Sequence, residues 1–216
     1  MKFRVIVADP PWSFNDKLQM SATARSADDN YNTLTLDDIC NLQVKDLIDP
    51  AGCMLVMWVP STMLIDGLRV LHAWGFEFKG TYAWVKMRKD MSGLAIGMGH
   101  TFRQAHEIAL VGVFGRVTSL IANKGQRSAC LAVNQGHSKK PEALQDSLDL
   151  MFPNANKLEM FARRQRPGWI CTGDELDFSD IRVVISDLIE FDDSTSLQSA
   201  ALESNDDTNA RQTDAQ

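Results

Sequence analysis

Short apolar runs alternating with amphipathic helical patterns constrain this chain of 216 residues most. Phe3 to Asp9 is β-branched and apolar and is stopped by Pro10-Pro11. Cys53 to Val59 is a second such run, ended by Pro60. Ser61 can then cap a helix whose Leu64, Leu68 and Leu71 follow i, i+4, i+7 spacing, with Gly75 as its stop. Thr81 to Lys86 and Ile108 to Phe114 read as further strands. Pro141 suits a first helical position, and Leu144, Leu148 and Met151 stripe the helix behind it. Lys157 to Ala162 and Trp169 to Thr172 complete the set. Strands separated by helices predict an α/β fold: a mainly parallel, Rossmann-like sheet with helices on both faces. In such folds ligands lie beyond the carboxyl ends of the strands. Two stretches without periodicity, Ser13 to Leu34 and the glycine-containing Met87 to His106, are expected on that side as binding loops.

Apolar residues make up 44% and charged residues 23%, which excludes a fibrous or wholly disordered chain. The longest nearly apolar stretch, Ala51 to Pro60, is too short to span a bilayer, and the start reaches Asp9 too soon for a signal-peptide core. A cytoplasmic location is the resulting expectation. Cys40, Cys53, Cys130 and Cys171 lack metal-type spacing and read as reduced thiols, so no metal is expected. The net charge of −6 is uneven: residues 1–175 hold 20 Lys and Arg against 18 Asp and Glu, and residues 176–216 hold 2 against 10. A nucleic-acid partner therefore remains open, because binding follows local charge. Residues 1–176 read as one domain and 177–191 as a short docked element. Residues 192–216, without aromatics, read as a disordered acidic tail.

Asp9-Pro10-Pro11-Trp12, placed directly after a strand, carries the chemistry. An exocyclic aromatic amine is a poor nucleophile because its lone pair is delocalised into the ring. A carboxylate at Asp9 and the Pro10 carbonyl can each accept one amine hydrogen, which favours pyramidal nitrogen and frees the lone pair. The prolines fix φ and so aim the carbonyl beforehand. Trp12 can stack on the base; the plain alternative is a stiff strand exit with a packed Trp.

With these residues in place the sequence resembles the DPPW-type N6-adenine methyltransferases, the family of the mRNA adenosine methyltransferase catalytic subunit and of many bacterial and phage enzymes. The likeness runs from about Phe3 to Leu176, through Tyr31-Asn32-Thr33-Leu34, Leu36-Asp37-Asp38-Ile39, Trp84-Val85-Lys86, Phe102 to Glu107, His137 to Glu142, Lys157 to Arg163, Gly168-Trp169 and Gly173 to Leu176. The tetrapeptide comes first and the cofactor strand last, the permuted order of that family. The resemblance implies S-adenosylmethionine as methyl donor. It implies Lys140 at the cofactor's carboxylate, Glu159 and Phe161 at the strand end that cradles it, Arg163 near the ribose, and Asp174-Glu175 in place of the usual Asn-Gln or Asn-Glu pair. An acid at a strand end independently suits ribose hydroxyls. Read without the family, Lys140 is a surface lysine, Glu159 an edge charge and Asp174-Glu175 a solvated turn. Only eight residues precede Asp9, so the upstream strand of the eukaryotic relatives is expected to be missing or replaced.

Lys86, Arg88, Lys89 and Arg103 around the glycine-containing stretch are candidate nucleic-acid contacts, with Arg116, Lys124, Arg127, Lys139 and Lys140 as a second basic stretch. Trp58, Trp74 and Trp84 read as core. The expected activity is methyl transfer to adenine N6 in DNA, without a covalent enzyme intermediate. RNA is the alternative substrate, a catalytically silent nucleic-acid-binding subunit the alternative role, and a protein amide or cytosine N4 the alternative acceptor.

Overall fold

The computed structural model describes residues 1–13, 34–97, 99, 101–134, 139–173, 176, 180–192 and 194. Seven strands form one sheet: β1 Val5–Ala8, β2 Gly52–Val59, β3 Glu77–Met87, β4 His106–Gly115, β5 Ala129–Val133, β6 Lys157–Met160 and β7 Ile170–Thr172. Their order is β5-β3-β4-β2-β1-β6-β7. The β1–β2, β1–β6, β3–β5 and β6–β7 pairs are parallel, and only the two pairs made by β4 are antiparallel. The mainly parallel sheet expected from the sequence is thus found. The chain runs from β1 to β2 on one side and from β6 to β7 on the other, so the neighbouring carboxyl ends of β1 and β6 form a switch point.

Period-two alternation sends successive side chains to opposite faces. Ile6, Ala8, Leu55, Met57, Leu158 and Met160 enter one core, with Ile39 of α1 (Leu36–Cys40) and Val70 and Leu71 of α2 (Leu64–Ala73). Ile181 and Ile185, in a helical stretch over residues 181–192, join that core. Val5, Val7, Met54, Val56, Trp58, Tyr82 and Trp84 enter the other, with Leu144 and Leu148 of α3 (Ala143–Met151). β1 and β2 are buried along their whole length, hence their unbroken apolar runs. Trp58, Trp74 and Trp84 are core residues, as expected.

Local chemistry sets the helix ends. Thr35 and Asp38 form a reciprocal capping box at α1. Ser61 does not cap α2; Ser61–Met63 is a 3-10 turn and α2 begins at Leu64. Gly75, at φ 87°, ends α2 by donating to the His72 carbonyl while Phe76 donates to Leu71, a Schellman arrangement. α3 starts two residues after Pro141, with Glu142 at its N-cap. Asp192 is helical and pairs with the Met1 ammonium at 3.2 Å and Lys2 at 3.7 Å, so the acidic segment begins inside a helix. Residues 195–216 lie outside the described residues, as does most of the Ser13 to Leu34 stretch. Among the described residues no helix is long and apolar enough to cross a membrane.

Candidate active site

One edge of the sheet collects the singular residues. The parallel register puts the carboxyl ends of β1, β2, β3, β5, β6 and β7 there, and antiparallel β4 starts there. Asp9 to Trp12 leave β1 at this edge, and the Asp9 amide points to the Met160 carbonyl at 3.4 Å. Trp12 N–H donates to the Pro10 carbonyl at 2.9 Å, a tight turn that aims the carbonyl and leaves one lone pair for another donor. Trp12 itself is only 7% exposed, and its indole N–H donates to the Trp58 carbonyl at 3.0 Å. The ring packs in the core cluster with Ala8 and Met57, and its hydrogen bond ties the tetrapeptide to β2.

Four charges alternate along the edge. The Lys86 ammonium lies 2.6 Å from Glu107, Glu107 lies 3.3 Å from Lys140, and Lys140 lies 2.8 Å from Asp9. Lys140 also sits 5.6 Å from the Trp58 ring centroid, and Lys86 sits 5.0 Å from that of Trp84. The Lys140 side chain is 16% exposed. Burial alone would pull its pKa down, but the carboxylates of Asp9 and Glu107 outweigh burial and hold it above the usual lysine value. Burial likewise pushes Glu107 up, and Lys140 and Lys86 outweigh it, leaving Glu107 below the ordinary range. Lys140 is therefore no surface lysine; it follows β5 in sequence yet reaches across to β1. Glu107 was not among the expected site residues. It is the second residue of β4, and no periodicity marks which residue meets it from another strand.

The second half of the edge surrounds Glu159 on β6. Its Oε1 accepts from Gln145 Nε2 at 3.0 Å, and Arg164 Nη1 approaches Oε2 at 3.8 Å. Burial raises the Glu159 pKa against the opposing Arg164 and Gln145. Phe161 turns at φ 59°, a conformation few side chains adopt, directly after β6. A Cβ on Gly173 would come within 2.3 Å of the Ala162 carbonyl, so the end of β7 closes tightly on this turn. Arg163 lies in the same turn. An open cavity of about 380 Å³ is lined by Glu142, Arg164, Gln165, Arg166 and Pro167. Arg164 also pairs with Glu142, and Arg166 is tied to Glu142, Asp146 and Asp149 at 2.7 Å each. Asp174 and Glu175 lie outside the described residues.

These groups suit S-adenosylmethionine on their own chemistry. Glu159 Oε2 and Arg164 Nη1 face each other at 3.8 Å, and neither buried atom has a hydrogen-bond partner among the described residues, so an acceptor and a donor stand ready for polar groups. The Lys140 ammonium matches a carboxylate.

The family model MT-A70 matches residues 3–175. The chain belongs to the MT-A70 family. Similar proteins include the type II methyltransferase M.MunI of Mycoplasma sp, 30% identical over 198 residues that span 84% of this chain and 81% of that one. The human N(6)-adenosine-methyltransferase catalytic subunit METTL3 is 30% identical over 180 residues, 82% of this chain and 28% of that one. An MT-A70-like N(6)-adenosine-methyltransferase of Drosophila melanogaster is 30% identical over 192 residues, 87% and 29% of the two chains. The family expected from the tetrapeptide and the motif order is the family found.

In this MT-A70 chain the candidate nucleic-acid contacts separate. Arg88, Lys89 and Arg103 are exposed on the excursion between β3 and β4, at the Asp9 edge. Lys86 is turned inward onto Glu107. Arg116 follows the carboxyl end of β4, and Lys124 and Arg127 precede the amino end of β5, which places all three at the opposite edge. The second basic stretch expected from the sequence is thus split between two ends of the sheet.

Proposed function

We propose that this MT-A70 protein transfers the methyl group of S-adenosylmethionine to the N6 amino group of adenine in DNA. The observation that carries the reading is the placement of the Asp9 carboxylate and the turned Pro10 carbonyl at the switch point, beside the strand end that bears Glu159. S-adenosylmethionine, when bound, supplies an electrophilic methyl group on sulfonium. Asp9 and the Pro10 carbonyl accept the two amine hydrogens in the ring plane and present the nitrogen lone pair along the ring normal. Lys140 holds the cofactor's carboxylate and Glu159 its ribose hydroxyls, and Phe161, Arg163, Asp174 and Glu175 are the further cofactor contacts that the family resemblance implies. Glu107 and Lys86 keep the Lys140 ammonium in place. Arg88, Lys89 and Arg103 serve the phosphate backbone.

DNA is favoured because the relative of comparable length is a type II methyltransferase, whereas the chain spans under a third of the N(6)-adenosine-methyltransferases. Those relatives make RNA the second reading. Incubation with methyl-labelled S-adenosylmethionine and DNA, RNA or protein, followed by digestion to nucleosides or amino acids, tests both. N6-methyl-2′-deoxyadenosine is expected. Label in adenosine would move the assignment to RNA, and label in cytosine or protein would overturn it.

A further inference from the structure

We propose that Gln145 is a positioning residue, which fixes the Glu159 carboxylate to receive the ribose hydroxyls of the cofactor. The proposal rests on the assignment of Glu159 to the cofactor. Gln145 lies on α3, is buried with Leu144 and Leu148 of the same helix, and is 1% exposed. An apolar residue would fill this place without the cost of burying an amide. The amide makes one directed bond: Nε2 donates to Glu159 Oε1 at 3.0 Å, while its own Oε1 has no partner among the described residues. One carboxylate oxygen is thereby occupied and the other, Oε2, is left buried without a hydrogen-bond partner. A carboxylate hydrogen-bonded at one oxygen, with the other facing Arg164 Nη1 at 3.8 Å and still without a hydrogen bond, is aimed rather than merely buried.

The charges around Glu159 explain why a neutral donor matters. Arg164 and Arg166 favour the carboxylate and Glu142 opposes it. Cys171, its register partner on β7, has its thiol pushed up by burial and adds no charge. Burial is the dominant influence and favours the protonated acid. The Gln145 N–H favours the carboxylate, the form that accepts hydroxyls best. Its loss raises the Glu159 pKa, so cofactor binding weakens first at low pH and recovers as pH rises.

The test is calorimetric titration of the full chain with S-adenosylhomocysteine from about pH 5.5 to 8.5, for wild type, Q145M, Q145L and E159Q, with thermal melts to establish folding. Q145M and Q145L remove the donor in two different apolar shapes, and either folded variant carries the test. Each is expected to weaken binding about tenfold at neutral pH and to move the midpoint of its pH dependence upward. Affinity that E159Q leaves unchanged would overturn the assignment of Glu159 itself. Affinity lost in E159Q but kept in Q145M and Q145L would overturn the positioning role alone. Weaker binding with an unmoved pH midpoint would also overturn it, since that pattern belongs to altered packing.

Discussion

Replacing Glu107 by glutamine removes one negative charge from the middle of the Lys86–Glu107–Lys140–Asp9 chain while keeping the shape of the side chain. Breaking a buried ion pair by removing one partner costs about 3–5 kcal/mol. Two features reduce that here: Glu107 is 31% exposed, so water screens it, and Lys140 keeps Asp9 at 2.8 Å. A loss of about 2 kcal/mol at neutral pH is expected, equivalent to a melting temperature about 4–8 °C lower for a chain of this size. The loss depends on pH with a defined sign. The folded pKa of Glu107 is depressed, so its contribution is present above the unfolded value of about 4.3 and disappears as pH falls through the folded value. Chemical denaturation followed by circular dichroism at pH 7, 5 and 4 and below reads the difference between the two proteins. It should be full at pH 7 and shrink below about pH 4. An equal deficit at every pH would place the effect in packing. No deficit at pH 7 would mean that the chain of charges is as weak as an exposed pair.

Two further outcomes are expected. Lys140→Ala should raise the dissociation constant for S-adenosylmethionine about ten- to a hundredfold, the range of one charge-assisted contact; unchanged cofactor affinity with weaker DNA binding would reassign Lys140 to the phosphate backbone. Trp12→Phe keeps an aromatic face but loses the bond to the Trp58 carbonyl, so it should lower stability by about 1–2 kcal/mol in denaturant titrations, whereas a stacking role would leave stability untouched and alter only base binding.

β1 and β2 were legible because their apolar runs are unbroken and buried along their length: β1 lies within Phe3 to Asp9, and β2 begins one residue before the run Cys53 to Val59. β5 was not, because an edge strand with Ala129 and Leu131 exposed carries half the signal. Nor was the antiparallel turn-back of β4, since two strands joined by a long excursion look the same in sequence whichever way they run. In the site, the tetrapeptide declared itself through chemistry that local residues supply together. Glu107 and Gln145 did not, because each acts through a partner distant in the chain: Lys140 for Glu107 and Glu159 for Gln145. Gln145 stood next to the Leu144 and Leu148 stripe, and a polar residue beside a buried stripe is the signal that could have found it. The anchoring of Trp12 was not legible either, because its partner, the Trp58 carbonyl, belongs to another strand.

The central claim is that Asp9 engages the amine and not the cofactor. Single-turnover methyl transfer to an adenine-containing duplex, measured beside S-adenosylhomocysteine affinity for wild type and Asp9→Ala, tests it most directly. Transfer should fall by at least about a hundredfold, the usual effect of removing one group that stabilises the reacting centre, with affinity unchanged. Affinity that falls together with transfer would make Asp9 a cofactor or folding residue, and full transfer would remove it from the reaction.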